Sequence, residues 1–162
     1  TKLMVVVPRE SKLWEFFPEE IKGLIADGEH LLIECHALSG KVSDYSYLVF
    51  PFAKAYEGFL KHYFLELELI HEDEFYGDDI RIGRILNPMF MEKKFSVYAK
   101  LKKIKGYDPD MPEHLWKIWR RGRNQVFHYF PHNFRRLSKE ESADIINGMV
   151  GAMHEAVAVL KD

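Results

Sequence analysis

Arg123 and His128, five places apart with Asn124 directly after the arginine, are the residues of this chain best suited to chemistry on a phosphate. A guanidinium presents a fixed fork of N–H donors that clamps phosphate oxygens and stabilises charge developing on them. An imidazole takes or delivers a proton near neutral pH. Their surroundings favour the same kind of ligand. From Leu115 to Arg136 there are six basic residues (Lys117, Arg120, Arg121, Arg123, Arg135 and Arg136), two histidines and no acid, interleaved with Trp116, Trp119, Phe127, Tyr129 and Phe130. Such a surface suits a phosphate-bearing partner.

The elements that must position these groups are helical. The motif falls near the end of a helix that cannot pass Pro131 undisturbed. At about 100° per residue, Arg120, Asn124 and His128 share one face as a polar stripe, whereas Arg123 and His128 diverge by about 140°. Trp119 and Phe127 flank Arg123 at i−4 and i+4, so the arginine is either stacked on a surface patch or partly buried with its fork held. A snorkelling arginine on a basic helix is the plain alternative. Gly122 costs this helix about 1 kcal/mol relative to alanine, which close approach by another backbone, such as a second copy of the chain, would explain.

Upstream, Lys2 to Val7 is a short apolar run readable as an edge strand or an arm, and residues 1–17 as a whole are expected to be an arm. Pro18-Glu19-Glu20 opens a helix, proline in its first turn, whose apolar positions Ile21, Leu24, Ile25, Leu31, Leu32 and Cys35 recur until Ser39-Gly40. A second helix runs from about Ser43 or Pro51 to Leu69, striped by Tyr45, Leu48, Val49, Phe52, Tyr56, Phe59, Leu60, Tyr63 and Leu67; Pro51 either starts or kinks it. His71 to Asp79 reads as an acidic surface loop, and Ile80 to Leu86 as a short helix or strand. Phe95 to Ile104 predicts a lysine-faced helix, and Asp110 is placed to cap the motif helix, three residues before Glu113. Ser138-Lys139-Glu140-Glu141 is a capping box, followed by the stripe Ile145, Ile146, Met149, Val150, Met153, Val157 and Leu160. The pattern predicts a single all-α domain over 1–162 of about five helices, with no internal repeat. The start at Thr1 rather than Met is expected of a domain trimmed or excised from a longer chain.

Composition bounds the rest. Hydrophobic content of 47% and charged content of 30% are those of a soluble globular chain. No apolar run approaches the ~20 residues that span a bilayer, no membrane partner is expected, and the single cysteine, Cys35, fits a reducing compartment; cytoplasm is the expected location. The net charge of −2 hides local fields: eight acids against Lys61 between Glu57 and Asp79, and six lysines against Glu92 between Met91 and Lys105. The remaining histidines form no metal-ligand pattern with one another or with Cys35, and adjacent Cys35 and His36 point apart on a helix. Neither a metal nor a cofactor is expected.

Arg123-Asn124-x-x-x-His128, at the end of an amphipathic helix and followed by one more, resembles the signature of the HEPN superfamily of helical ribonucleases. The stretch Ala53-Lys54-Ala55-Tyr56-Glu57-Gly58-Phe59-Leu60-Lys61 resembles the segment that precedes this motif in RNase LS-type toxins of bacterial toxin–antitoxin systems. The resemblance covers roughly residues 43–160. It implies a HEPN-like helical bundle, a homodimer whose two copies build one cleft, RNA as substrate, an antitoxin protein as partner, and an active-site glutamate at Glu57. One feature departs from it: HEPN toxins paired with nucleotidyltransferase antitoxins carry a tyrosine two places after the histidine, where this chain has Phe130, with Tyr129 beside it.

The residue types suit ribonuclease chemistry independently, because RNA supplies its own nucleophile, the 2′-hydroxyl. His128 would move the proton, Arg123 would clamp the phosphate, Asn124 would orient the phosphate or His128, and Glu57 would position Arg123 or assist proton transfer. Arg120, Arg121, His132, Arg135 and Arg136 are candidate RNA contacts. The expected activity is a metal-independent endoribonuclease, the toxin of a toxin–antitoxin or phage-defence system. The alternative is a non-catalytic helical module that binds RNA or a protein. On that view His128 is an imidazole at a helix C-terminus, and Glu57 pairs with Lys61 one turn away.

Overall fold

The computed structural model describes residues 6–124, 126–132 and 135–162, with the backbone alone of Asn124. Eight α-helices and no strand occur among them: α1 (Lys12–Phe16), α2 (Glu19–Glu34), α3 (Phe50–Glu66), α4 (Glu72–Tyr76), α5 (Ile82–Ile85), α6 (Val97–Lys102), α7 (Met111–Trp119) and α8 (Lys139–Ala158). Tighter 3₁₀ turns lie at Cys35–Leu38, Ser46–Leu48 and Pro88–Phe90, and a wider π turn, Arg120–Asn124, follows α7 directly. The chain is all-α, with α2, α3, α7 and α8 its long elements.

Helix α3 is the axis of the core. Phe52, Tyr56, Phe59, Tyr63 and Phe64 are all fully buried and point to several sides of the helix, as expected where neighbours surround it. Pro51 starts this helix rather than kinking it, so Tyr45, Leu48 and Val49 of the expected stripe precede it. Helix α2 packs on α3 at Gly28, where a Cβ would stand 2.5 Å from the Phe52 ring. Helices α1, α3 and α7 all pack on α8. Tyr56 Oη donates to the Leu115 carbonyl at 2.8 Å, fastening α3 to α7. One continuous apolar core runs from Val7 to Val157.

Helix α8 begins as its sequence predicts. Ser138 Oγ accepts from the Glu141 N–H at 3.0 Å while Glu141 accepts from the Ser138 N–H at 3.2 Å. Segment 44–46 is tied to this start: Asp44 accepts from the Leu137 N–H at 3.1 Å, and Tyr45 N–H donates to the Leu137 carbonyl at 2.9 Å.

Several expectations are corrected. Residues 6–17 are not an arm: α1 forms within them, Val7, Leu13 and Phe17 are buried in the core, and Arg9 pairs with Glu29 at 2.8 Å. Of the expected strand at Lys2–Val7, residues 1–5 lie outside those described, and residues 6 and 7 are not in a strand. Pro18 precedes α2 as its cap residue instead of occupying the first turn, and α2 ends at Glu34, where the 3₁₀ turn takes over. The acidic segment expected as a loop forms α4, because Glu72, Asp73 and Glu74 all fall in its first turn, at the positive end of the helix dipole. Asp110 stands at the cap of α7 without a side-chain cap bond; its own N–H donates to Asp108 Oδ1 at 2.9 Å. No helix among the described residues is long and apolar enough to cross a membrane.

Candidate active site

The motif departs from a regular helix at Arg123 itself. After Trp119 the backbone widens into the π turn, and beyond the Phe127 N–H bond to the Arg123 carbonyl at 3.2 Å the chain leaves the helix. His128 therefore lies outside any helix. The expected polar stripe of Arg120, Asn124 and His128 does not form, because it presumed unbroken α-helical phase. The Asn124 side chain lies outside the described residues. Arg123 and His128, which a continuous helix would have turned apart, both line one cleft. Extra-wide helical turns of this kind are frequent at functional sites.

Gly122 explains how the turn is seated. A Cβ there would stand 1.9 Å from Met149 Cε, with Ile145 Cγ2 at 3.5 Å. The close neighbour expected of this glycine is thus side chains of the chain's own α8, in place of a second copy's backbone.

Arg123 and His128 line one cleft of about 520 Å³ with Phe50, Lys54, Glu57 and Phe127. One N–H of the Arg123 fork donates to Glu57 Oε2, and its Cζ lies 5.1 Å from the Trp119 ring centroid. Arg123 is thus held between a carboxylate and an aromatic face. The arginine and its partner are both partly exposed, 38% and 24% of their side chains, so a solvent-borne ligand can reach them. Among the described residues Glu57 pairs with Arg123, the positioning role expected of it, and not with Lys61 as the plain alternative has it. Lys54 and Arg123 against Glu57 leave the cleft one positive charge before His128 is protonated, a balance suited to a phosphodiester.

Lys54, Phe50 and Phe127 were not singled out as site residues by the motif. A signal for two of them exists. Phe50, Lys54, Glu57 and Lys61 recur at i, i+4, i+7 and i+11, the complement of the buried positions of α3, and so mark its open face.

The other basic candidates are not among the residues lining this cleft. Arg121 and Arg135 line a smaller cavity of about 110 Å³ with Ser46, Val126 and Glu141 among its walls. Arg120, His132 and Arg136 are exposed, and Arg136 acts electrostatically on Asp44. Among the described residues no group of His, Cys, Asp and Glu is arranged to hold a metal ion. Cys35 is buried with its thiol donating to the Leu32 carbonyl, while His36 Nδ1 contacts Lys139 Nζ at 2.8 Å.

Comparisons with family models, with curated proteins and with solved structures found no match to this chain.

Proposed function

We propose that this cleft is the active site of a metal-independent endoribonuclease of the HEPN type, working as a homodimer and serving as the toxin of a toxin–antitoxin or phage-defence system. One observation carries the nuclease reading: Arg123 and His128 face a single cleft, with the arginine held by Glu57. The toxin role and the HEPN-like bundle rest on the resemblance of the motif and of the Ala53–Lys61 stretch, in an all-α chain with one helix after the motif.

The reaction needs only proton transfer and charge stabilisation. The ribose 2′-oxygen attacks phosphorus and gives up its proton, the bond to the 5′-oxygen breaks, and that oxygen receives a proton. The products are a 2′,3′-cyclic phosphate and a 5′-hydroxyl. Arg123 and Lys54 meet the phosphate oxygens, and His128 moves a proton, a contribution of typically 10²–10⁴ in rate. One imidazole does not easily serve both faces of the phosphate; a second copy supplies the other.

The test compares cutting with binding on an unstructured oligoribonucleotide. His128→Ala is expected to slow cleavage at least 100-fold while affinity stays within a few-fold, in line with loss of a proton-transfer group. Cleavage by wild type should fall on dilution below the dimer dissociation constant and persist in chelator. Undiminished cleavage by the His128→Ala variant overturns the assignment. Among the described residues one imidazole lines the cleft, which favours one competitor, a non-catalytic module that binds RNA or an acidic protein partner. That module shows binding without cutting; if it is a structural domain docking an acidic partner, Arg123→Ala with His128→Ala leaves any cellular toxicity intact.

A further inference from the structure

Two large apolar rings stand open to solvent at the mouth of a charged cleft. Phe50 is 54% exposed and Phe127 is 43% exposed, although Val49 and Pro51 on either side of Phe50 are buried. Their centroids are 5.8 Å apart with planes at 82°, so together they make a corner. A flat aromatic ligand lying on one ring meets the other at its edge, both favourable arrangements for π systems. The third wall is charged. Lys54 follows Phe50 by one turn of α3, about 6 Å along the axis, and Glu57 with Arg123 lies one turn further.

We infer that the Phe50–Phe127 corner is a nucleobase subsite, which stacks an unpaired base of the nucleotide whose phosphate meets Lys54 and Arg123. Its ligand is taken from the nuclease reading above, on which the inference rests. The order along α3 is the physical content: a ring for the base at 50, a cation for the phosphate at 54, a carboxylate holding the clamp at 57. A ligand that is apolar and flat at one end and anionic at the other matches this order, and a nucleotide is such a ligand. Every base offers a π face, so the corner stabilises binding without demanding a particular sequence.

The test uses an otherwise deoxyribose oligonucleotide with a single ribonucleotide, whose 2′-hydroxyl fixes the scissile bond. The ribonucleotide and its neighbours are in turn intact or abasic. Removing one of these bases is expected to lower kcat/KM of the wild-type protein by about 5- to 150-fold, the range of a lost stack. Phe50→Leu with Phe127→Leu should lose a similar factor on the intact substrate and no more on the abasic one. Phe50→Trp should stay within a few-fold of wild type. The same factors are read as affinities with His128→Ala, so the subsite is decided even if the protein never cuts: binding that tracks the base supports it while the nuclease reading fails. Three results overturn the subsite. The leucine variant treats intact and abasic oligonucleotides as wild type does; or leucine serves as well as tryptophan; or raising protein concentration restores the leucine variant, which would place a second copy over the rings.

Discussion

Gly122→Ala tests how the π turn is held. The added methyl would lie 1.9 Å from Met149 Cε, so that carbon must retreat by roughly 2 Å to reach the ordinary separation of about 3.5–4.0 Å. Cε is the far end of a flexible side chain, but Met149 is fully buried, so its retreat is confined to the rotamers that the packed interior allows. Overpacking of this kind costs about 1–3 kcal/mol. Alanine recovers up to about 1 kcal/mol through helix propensity and a less flexible unfolded chain. The expected balance is a loss of roughly 1–2 kcal/mol, read in a reversible thermal melt as a Tm lower by about 2–8 °C for a chain of this size. A double-mutant cycle isolates the contact. Met149→Ala alone should cost about 2–5 kcal/mol by leaving a cavity, and in that background Gly122→Ala should become neutral or stabilising. A Gly122→Ala effect of the same sign and size in both backgrounds would refute the close packing of the turn on α8.

Glu57→Gln keeps the shape of the side chain and removes the charge facing Arg123; partly exposed pairs of this kind contribute about 0.5–1.5 kcal/mol to stability. The expected result is a kcat lowered at least several-fold with KM little changed; higher affinity and faster cutting would instead show Glu57 competing with the phosphate. Asp44 is pushed up by burial, but hydrogen bonds from the Ser46 hydroxyl, the Leu137 N–H and the Ser46 N–H, with the charge of Arg136, outweigh this and leave it below the ordinary carboxylate range. A depressed acid stabilises the fold above its unfolded pKa, and that contribution is lost as pH falls through the folded value. Asp44→Asn should therefore cost about 1–3 kcal/mol at pH 7 and flatten the loss of urea midpoint below about pH 4; an unchanged acid limb contradicts this. His62, half-buried with its ring 4.7 Å from Phe75, is pushed down by burial against the opposing charge of Glu20. The unfolded chain then binds the proton more readily, so this contribution is whole above the ordinary imidazole range and shrinks as pH falls through it. His62→Phe should flatten the stability curve between about pH 7 and 5, and an unaltered slope there counts against the burial.

The helices with strong local signals were legible. Ser138 and Glu141 form their reciprocal cap, and Ile145, Ile146, Met149, Val150, Met153 and Val157 are all buried as their spacing demanded. The acids of α4 suggest a loop because charge marks exposed chain, although three acids in a first turn suit a short helix. The burial of Val7, Leu13 and Phe17 depends on contacts with α2, α3 and α8, which no local pattern reveals. The π turn is the instructive miss. Trp119-Arg120-Arg121-Gly122-Arg123 has nothing to stop an α-helix except one glycine. What singles out that glycine is Met149, 27 positions later in the sequence.

Since the cleft depends on that miss, its geometry and its chemistry should respond differently to mutation. Arg123 reaches its place through two independent supports: the seating of the π turn on α8, and Glu57 and Trp119 against its side chain. The first is a core contact that holds backbone, so disturbing it must shift stability and activity together. The second acts at a partly exposed edge on the guanidinium alone, where little stability is at stake. Substitutions at 122 and 149 should therefore move Tm and kcat along one line, while substitutions at 57 and 123 should leave that line, losing far more rate than stability. If all four fell on a single line, Arg123 would be a structural arginine and its nearness to His128 incidental.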